Sequence, residues 1–256
     1  MRFLGVQPSP EGLVELYSAG YFETDFRCGR SEAAYSDESA FLEENRGLVD
    51  DFERLLPEVR ERRLLEVGCA GGWLLKHATG RGWGVRGVEL SADAAARARG
   101  LGLDVITGDL DTARFPAAAF DLVYMGDVLE HVPDCRATVA EVARVLEPGG
   151  WLYLRGPITT HSMARRLGLF LYGVAGSTIV LREPPYHLWE FRPAPLRRLL
   201  EREGLEVVRL VQSKTPPSRK KGIGHTVMGA IDAINVPWTG AWGALGDRVV
   251  VVARKR

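Results

Sequence analysis

Four residues in one short stretch are the first candidates for chemistry. They are Glu66, Gly68, Ala70 and Gly72 in Leu64-Leu65-Glu66-Val67-Gly68-Cys69-Ala70-Gly71-Gly72. Leu64 to Val67 read as a short buried strand, the small residues as a tight turn, and Trp73-Leu74-Leu75-Lys76-His77 as the opening of a helix. A strand that runs through a glycine turn into a helix offers bare backbone N–H groups to whatever docks there. In a parallel α/β sheet that turn is the usual seat of a nucleotide-like cofactor. Two histidines could move a proton near neutral pH. His131 follows the fourth expected strand, and His187 lies in Tyr186-His187-Leu188-Trp189-Glu190-Phe191. A hydroxyl acceptor needs such a base, whereas an amine only needs to be neutral.

The elements that would position these residues alternate from Arg62 to Arg155, the pattern of a parallel sheet. The first strand ends at Val67. The second, Gly84 to Glu89, closes on an acid 21 residues after Gly68, and Ser91-Ala92-Asp93 begins an alanine-rich helix to Gly100. A third strand, Leu103 to Ile106, leads to Thr107-Gly108-Asp109, and a fourth, Phe120 to Met125, ends at Gly126-Asp127. A helix from Thr138 to Leu146 stops at the turn Glu147-Pro148-Gly149-Gly150, and a fifth strand covers Trp151 to Arg155. Further on, a helix at Ala194 to Arg202 precedes strands at Leu205 to Val211 and Asp247 to Ala253. Ahead of all this, Pro10-Glu11-Gly12 starts a short amphipathic segment, and Glu38 to Leu56 has apolar residues at helical spacing until Pro57 stops it. The chain is expected to be one domain: a helical lead-in over 1–60, a cofactor-binding core over 61–157, a lid-like insertion over 158–186, and a C-terminal part over 187–256. The last part carries a second insertion at 214–246.

Composition narrows the function. Thirty-three basic residues against 33 acidic ones give no global electrostatic support for nucleic acid. Cys28, Cys69 and Cys135 are too far apart for a zinc site, so no metal is expected, and their odd number suits a reducing, cytoplasmic setting. Pro8 and Pro10 interrupt any apolar core of a signal peptide. The longest apolar stretch, Leu167 to Leu181, is broken by Gly168, Gly173 and Gly176 and is too short to span a bilayer.

The glycine spacing discriminates between cofactors. A dinucleotide fingerprint wants Gly-x-Gly-x-x-Gly, the last glycine allowing close helix–strand packing. Those places hold Gly68, Ala70 and Trp73 here, and an indole does not suit the third. Glu66-Val67-Gly68-Cys69-Ala70-Gly71-Gly72 instead resembles motif I of the class I S-adenosylmethionine-dependent methyltransferases, acid-x-Gly-x-Gly-x-Gly. Its middle glycine has become Ala70, which asks for φ below zero there. The stretches Asp127-Val128-Leu129-Glu130-His131-Val132 and Arg144-Val145-Leu146-Glu147-Pro148-Gly149-Gly150 resemble the subgroup of ubiquinone-biosynthesis O-methyltransferases and bacterial sugar and small-molecule methyltransferases. The lead-in Pro8-Ser9-Pro10-Glu11-Gly12-Leu13 through Tyr21-Phe22 looks like that of the sugar enzymes, though the zinc-binding cysteine cluster that precedes it in several of them is missing.

The resemblance implies a Rossmann-like α/β fold with a seven-stranded, mostly parallel sheet and an antiparallel last strand. It also implies roles. Gly68, Ala70 and Gly72 would lie under the methionine part of S-adenosylmethionine, and Glu66 would orient that loop or meet the amino group. Glu89, with Leu90 beside it, would accept from both ribose hydroxyls. Asp109 would accept from the adenine amino group with Leu110 against the ring, and Met125 and Gly126 would pass close by. His131 would serve as base.

Plainer readings stand beside these. Glu89 could be a helix N-terminal acid, Asp109 an ordinary turn aspartate, Asp121 a turn cap, and His131 a residue that shapes the pocket. Trp189 and Phe191 look like core anchors, which lowers the claim of His187. The expected activity is methyl transfer to a small-molecule acceptor, on an oxygen of a sugar, natural product or lipid-like compound, releasing S-adenosylhomocysteine. Alternatives are a nicotinamide-dependent oxidoreductase on a related sheet, or a methyltransferase-fold binding protein without turnover. Arg165, Arg166 and the apolar residues after them suggest transient lipid or membrane contact.

Overall fold

In the computed structural model, residues 61–157, 187–213 and 248–256 are described, together with 38–45, 47–55 and residues 2, 3, 9, 12, 13 and 15. The expected segments at 158–186 and 214–246, with the aromatic lead-in around Tyr17 to Tyr35, lie outside the described residues.

Seven strands form one sheet: β2 (Arg63–Val67), β3 (Gly84–Glu89), β4 (Val105–Thr107), β5 (Phe120–Gly126), β6 (Leu146–Pro157), β8 (Leu205–Ser213) and β9 (Arg248–Lys255). Their order is β4-β3-β2-β5-β6-β9-β8, and only β9 runs antiparallel to its neighbours, against β6 and β8. The sheet is therefore Rossmann-like and mixed, with its topological switch between β2 and β5, where the crevice for a ligand opens at the carboxyl ends. Because β9 is reversed, its first residue, Arg248, pairs with Pro157 and sits at that same carboxyl edge.

Alternation along each strand splits the apolar residues between two faces. Leu64, Leu122, Tyr153 and Val252 face α2 (Leu48–Leu55), α3 (Trp73–Gly80) and α4 (Ala92–Gly100). Leu65, Val123, Met125, Leu152 and Val251 face α5 (Cys135–Val145) and α6 (Pro193–Arg202). Each fully buried leucine or phenylalanine contributes about 1.5–3 kcal/mol relative to leaving it exposed. Phe52 of α2 is wholly buried, edge-on to Trp83 and Tyr153 and tilted against Tyr124, so the lead-in is part of the core.

Several local expectations change. The single helix over 38–56 is two: α1 (Glu38–Glu44) ends where the Asn45 amide side chain donates to the Phe41 carbonyl, and Gly47 turns the chain at φ +81° before α2. The helix expected from Thr138 starts earlier, at Cys135, because the Asp134 carboxylate caps it by accepting from the Arg136 and Ala137 amides at 2.9 Å each. Glu147 to Gly150 is a bulged stretch within β6, with Gly149 at φ +80° and the register to β5 shifting beside it. The first residues are not helical. Arg2 and Phe3 form β1, paired antiparallel with β7 (Trp189–Glu190). Among the described residues no helix is long and apolar enough to cross a membrane.

Candidate active site

The turn after β2 is held by backbone bonds. Gly68 and Cys69 both donate to the Val88 carbonyl, at 2.8 and 3.2 Å, and Gly72 donates to the Cys69 carbonyl at 2.9 Å. Gly68 and Gly72 take φ of +74° and +82°, as their residue type permits. Their missing side chains make room for protein. A Cβ on Gly68 would lie 2.5 Å from a Val128 methyl, and one on Gly72 would lie 2.9 Å from the Ala98 Cβ. Ala70 departs from expectation. Its φ is +47°, not negative, because its N–H must turn inward to donate to Glu89 Oε2 at 2.8 Å. The left-handed region costs an alanine roughly 1–2 kcal/mol, which that charge-assisted bond offsets.

Glu89 thus ties the ends of two strands together. It is 5% exposed, and its other oxygen, Oε1, accepts from the Ser91 amide at 2.8 Å. Burial pushes its pKa up, while the amides of Ser91, Ala70 and Leu90 pull it down. Ser91 in turn caps α4. Glu66, also buried, stands in register with Tyr124. Its carboxyl is held well above the usual carboxylate range, first by burial and second by the nearby Glu89. Its Oε2 has no hydrogen-bond partner among the described residues. Two buried acids, one with an unmet acceptor, make a cradle suited to a ligand that carries both hydroxyl donors and a cationic amine. A carboxylate has about four lone-pair sites, so Glu89 can hold its two backbone donors and still take two hydroxyls.

The remaining expected residues follow along the carboxyl edge. Asp109 is exposed, and its Oδ1 accepts from the Thr112 amide at 2.8 Å, while Leu110 behind it is buried in the core. Met125 is fully buried between Val67 and Leu154 of the neighbouring strands. A Cβ on Gly126 would strike the Tyr124 hydroxyl at 2.4 Å, so that hydroxyl dictates the glycine. Leu90 is half-buried beside Glu89. Asp121 stands at the opposite, amino edge of the sheet, where both its oxygens accept from the Arg63 guanidinium and Oδ2 also takes the Arg63 amide at 2.9 Å.

Past β5 the chain turns through Asp127, at φ +57°, into Glu130 and His131. The segment before β7 is fastened onto this turn. The Glu130 carbonyl accepts from the Leu188 and Trp189 amides at 2.8 and 3.1 Å, and the Trp189 indole N–H donates to the Val132 carbonyl at 2.7 Å. Trp189 and Phe191 are indeed anchors, and their anchoring is what brings His187 to His131. The two rings meet edge to face, centroids 5.1 Å apart. Glu130, 2% exposed, holds Oε1 at 3.8 Å from His131 Nε2. Alongside, one guanidinium nitrogen of Arg248 donates to both carboxylate oxygens of Asp127, at 2.5 and 2.6 Å. Neither Glu130 nor the Asp127–Arg248 pair stood out in the sequence, although Glu130 is adjacent to His131 there. His77 lies exposed on α3, and His161 and His225 fall outside the described residues.

Comparison with known proteins agrees with this architecture. The methyltransferase domain family matches residues 41–210. The chain is 31% identical over 170 residues to a ubiquinone biosynthesis O-methyltransferase of Thiobacillus denitrificans, covering 62% of this chain and 71% of that one. It is 30% identical to the Aromatoleum aromaticum protein of the same name, covering 64% and 73%. Among solved structures, an S-adenosylmethionine-dependent methyltransferase from Archaeoglobus fulgidus superposes with a TM-score of 0.55 at 19% identity, covering 84% of this chain and 99% of that one, a likeness of fold. The Mesorhizobium loti methyltransferase likewise gives 0.55 at 21% identity, over 80% and 96%. With the glycine turn, the buried acids and the sheet order in place, this chain belongs to the class I S-adenosylmethionine-dependent methyltransferases.

Proposed function

We propose that the enzyme methylates an oxygen of a small-molecule acceptor, with His131 as general base. The observation that carries this reading is His131 itself, at the carboxyl edge, with the buried Glu130 carboxyl 3.8 Å from its Nε2. The names of the relatives, ubiquinone biosynthesis O-methyltransferases, support oxygen as the acceptor atom.

S-adenosylmethionine, held by the residues of this site, would supply the methyl group and leave as S-adenosylhomocysteine. The residues of the chain do the rest. Glu89 accepts from the ribose hydroxyls and Glu66 meets the amino group. Gly68, Ala70 and Gly72 shape the turn under the methionine part, Leu90 and the backbone of Met125 and Gly126 pass close to the cleft, and Asp109 and Leu110 stand at the adenine side. His131 Nε2 or Nδ1 takes the acceptor proton. The enzyme works in the cytoplasm on a small acceptor and contacts lipid only transiently.

The test is methyl transfer from a deuterated-methyl cofactor to a panel of phenols, sugars and amines, with mass spectrometry locating the label. His131→Ala should lower kcat by about 10²–10⁴ and leave cofactor affinity unchanged. Label on nitrogen alone, or a normal kcat in that variant, would refute the proposal.

A further inference from the structure

His187 belongs to a segment that returns to the sheet after residues 158–186 and is tied to the Glu130–Val132 turn by three hydrogen bonds. Fastening a loop this firmly fixes the side chains beside the bonds. His187 adjoins Leu188, and its ring meets that of His131 edge to face. One nitrogen from each ring and one Glu130 oxygen all lie within 4.8 Å of one another, a distance that a single water can bridge. β6 passes close behind, since a Cβ on Gly156 would lie 3.4 Å from Glu130 Oε2. Among the described residues, Asp127 and Arg248 are paired in this corner, and the Arg248 guanidinium also acts on Glu130.

We infer that His187 is a positioning residue of the methyl-transfer site, and that Glu130, His131 and His187 handle the acceptor proton as one unit. This rests on the reading of His131 as base. The proton leaves the acceptor hydroxyl for His131, whose positive charge the Glu130 carboxylate balances. It then passes through one water to His187 and out, returning His131 to its neutral, accepting form. No oxidant or reductant enters, and the net change is the one proton that methylation of a hydroxyl releases. A lone base would have to discharge its proton directly into a pocket closed over by acceptor and cofactor. A second ring held on the far side supplies the exit.

Selective carbon-13 labelling of histidine rings, followed by NMR titration of the acceptor-free enzyme, tests the unit without needing the acceptor. In the wild type both rings should report two shared steps, about one pH unit or more apart, as coupled sites do. In His187→Gln the His131 ring should titrate in one step. In Glu130→Gln its midpoint should move to lower pH. Two independent single-step curves in the wild type overturn the inference. So does a joint shift of both rings on adding Zn²⁺ or Mg²⁺, which would make the trio a metal centre. Turnover separates the two ideas: His187→Gln should lower kcat about 10-fold with KM unchanged, and a rise in KM alone refutes its role. Coupled rings with full activity in His131→Ala sink the base reading, whereas uncoupled rings with an inactive His131→Ala leave the base and remove the relay.

Discussion

Replacing Glu89 by alanine probes both the fold of the cofactor turn and the binding of the cofactor. Glu89 accepts two bonds at 2.8 Å, from the amides of Ala70 and Ser91. Bonds to a charged acceptor contribute about 1.5–3 kcal/mol each. Against that stands the cost of keeping a carboxylate where burial raises its pKa. A net loss of about 2–4 kcal/mol is expected, a large fraction of the stability of a typical domain. Without its anchor the Ala70 amide has no reason to hold φ at +47°, so the turn should relax even in molecules that stay folded. The two ribose hydroxyls lose a charged acceptor as well, lowering cofactor affinity by about 10- to 100-fold. Urea denaturation of the free enzyme reads the first effect, and calorimetry with S-adenosylhomocysteine reads the second. Stability unchanged within about 0.5 kcal/mol would refute the tether, and unchanged affinity would refute the ribose role. Glu89→Gln refines the result: its single carbonyl can serve one of the two amides, so its stability should fall between the wild type and alanine.

Other expectations concern the same corner. Glu66 has a folded-state pKa above its ordinary value near 4.5, so its contribution to stability is fully present below that value and is lost as pH rises through the folded one. Melting temperature of the free enzyme should therefore fall with rising pH above about 4.5, and Glu66→Gln should flatten the slope; an unchanged slope would rule Glu66 out as its source. Cofactor binding should release protons, measurable by calorimetry in buffers of different ionisation enthalpy, because a cationic amine beside Glu66 favours its ionised form. Ala70→Gly should stabilise by about 0.5–1 kcal/mol in thermal melts, the relief of left-handed strain exceeding the added freedom of the unfolded chain. Gly72→Ala should destabilise by about 2–4 kcal/mol, since φ is +82° and the new methyl would meet Ala98 and Leu103 at under 3.0 Å.

What could be read in advance was whatever depends on neighbours in sequence. Apolar runs closed by small residues marked β2, β3 and β5, because a strand buried on both faces needs such a run and its turn needs glycine. The acid that ends β3 was visible for the same reason. The break between α1 and α2 was less so, since Asn45 and Gly47 sit in a stretch whose apolar spacing is uninterrupted by the turn. Contacts between distant parts left no trace. Nothing near Ala70 announces that an acid 19 residues on will seize its amide, and nothing in Arg2-Phe3 marks it as a partner of Trp189 and Glu190. His187 illustrates the converse: aromatic neighbours suggested a packing role, and it is their packing that delivers the ring to His131.

The fastening of His187–Trp189 to the Glu130 turn has a consequence for how such an enzyme could diversify. The stretch 158–186 departs from the end of β6 and returns at a point clamped to the end of β5, so both of its ends are set by the sheet and not by its own sequence. Even for a fully flexible connection, doubling the number of residues between two fixed ends costs only about 0.6 kcal/mol. Substitutions, insertions or wholesale exchange between the two clamps would then leave the register of the sheet and the cofactor turn untouched. The clamp makes the intervening stretch an exchangeable cassette, and a chimera carrying the corresponding stretch of a relative should keep the fold of the cofactor turn intact.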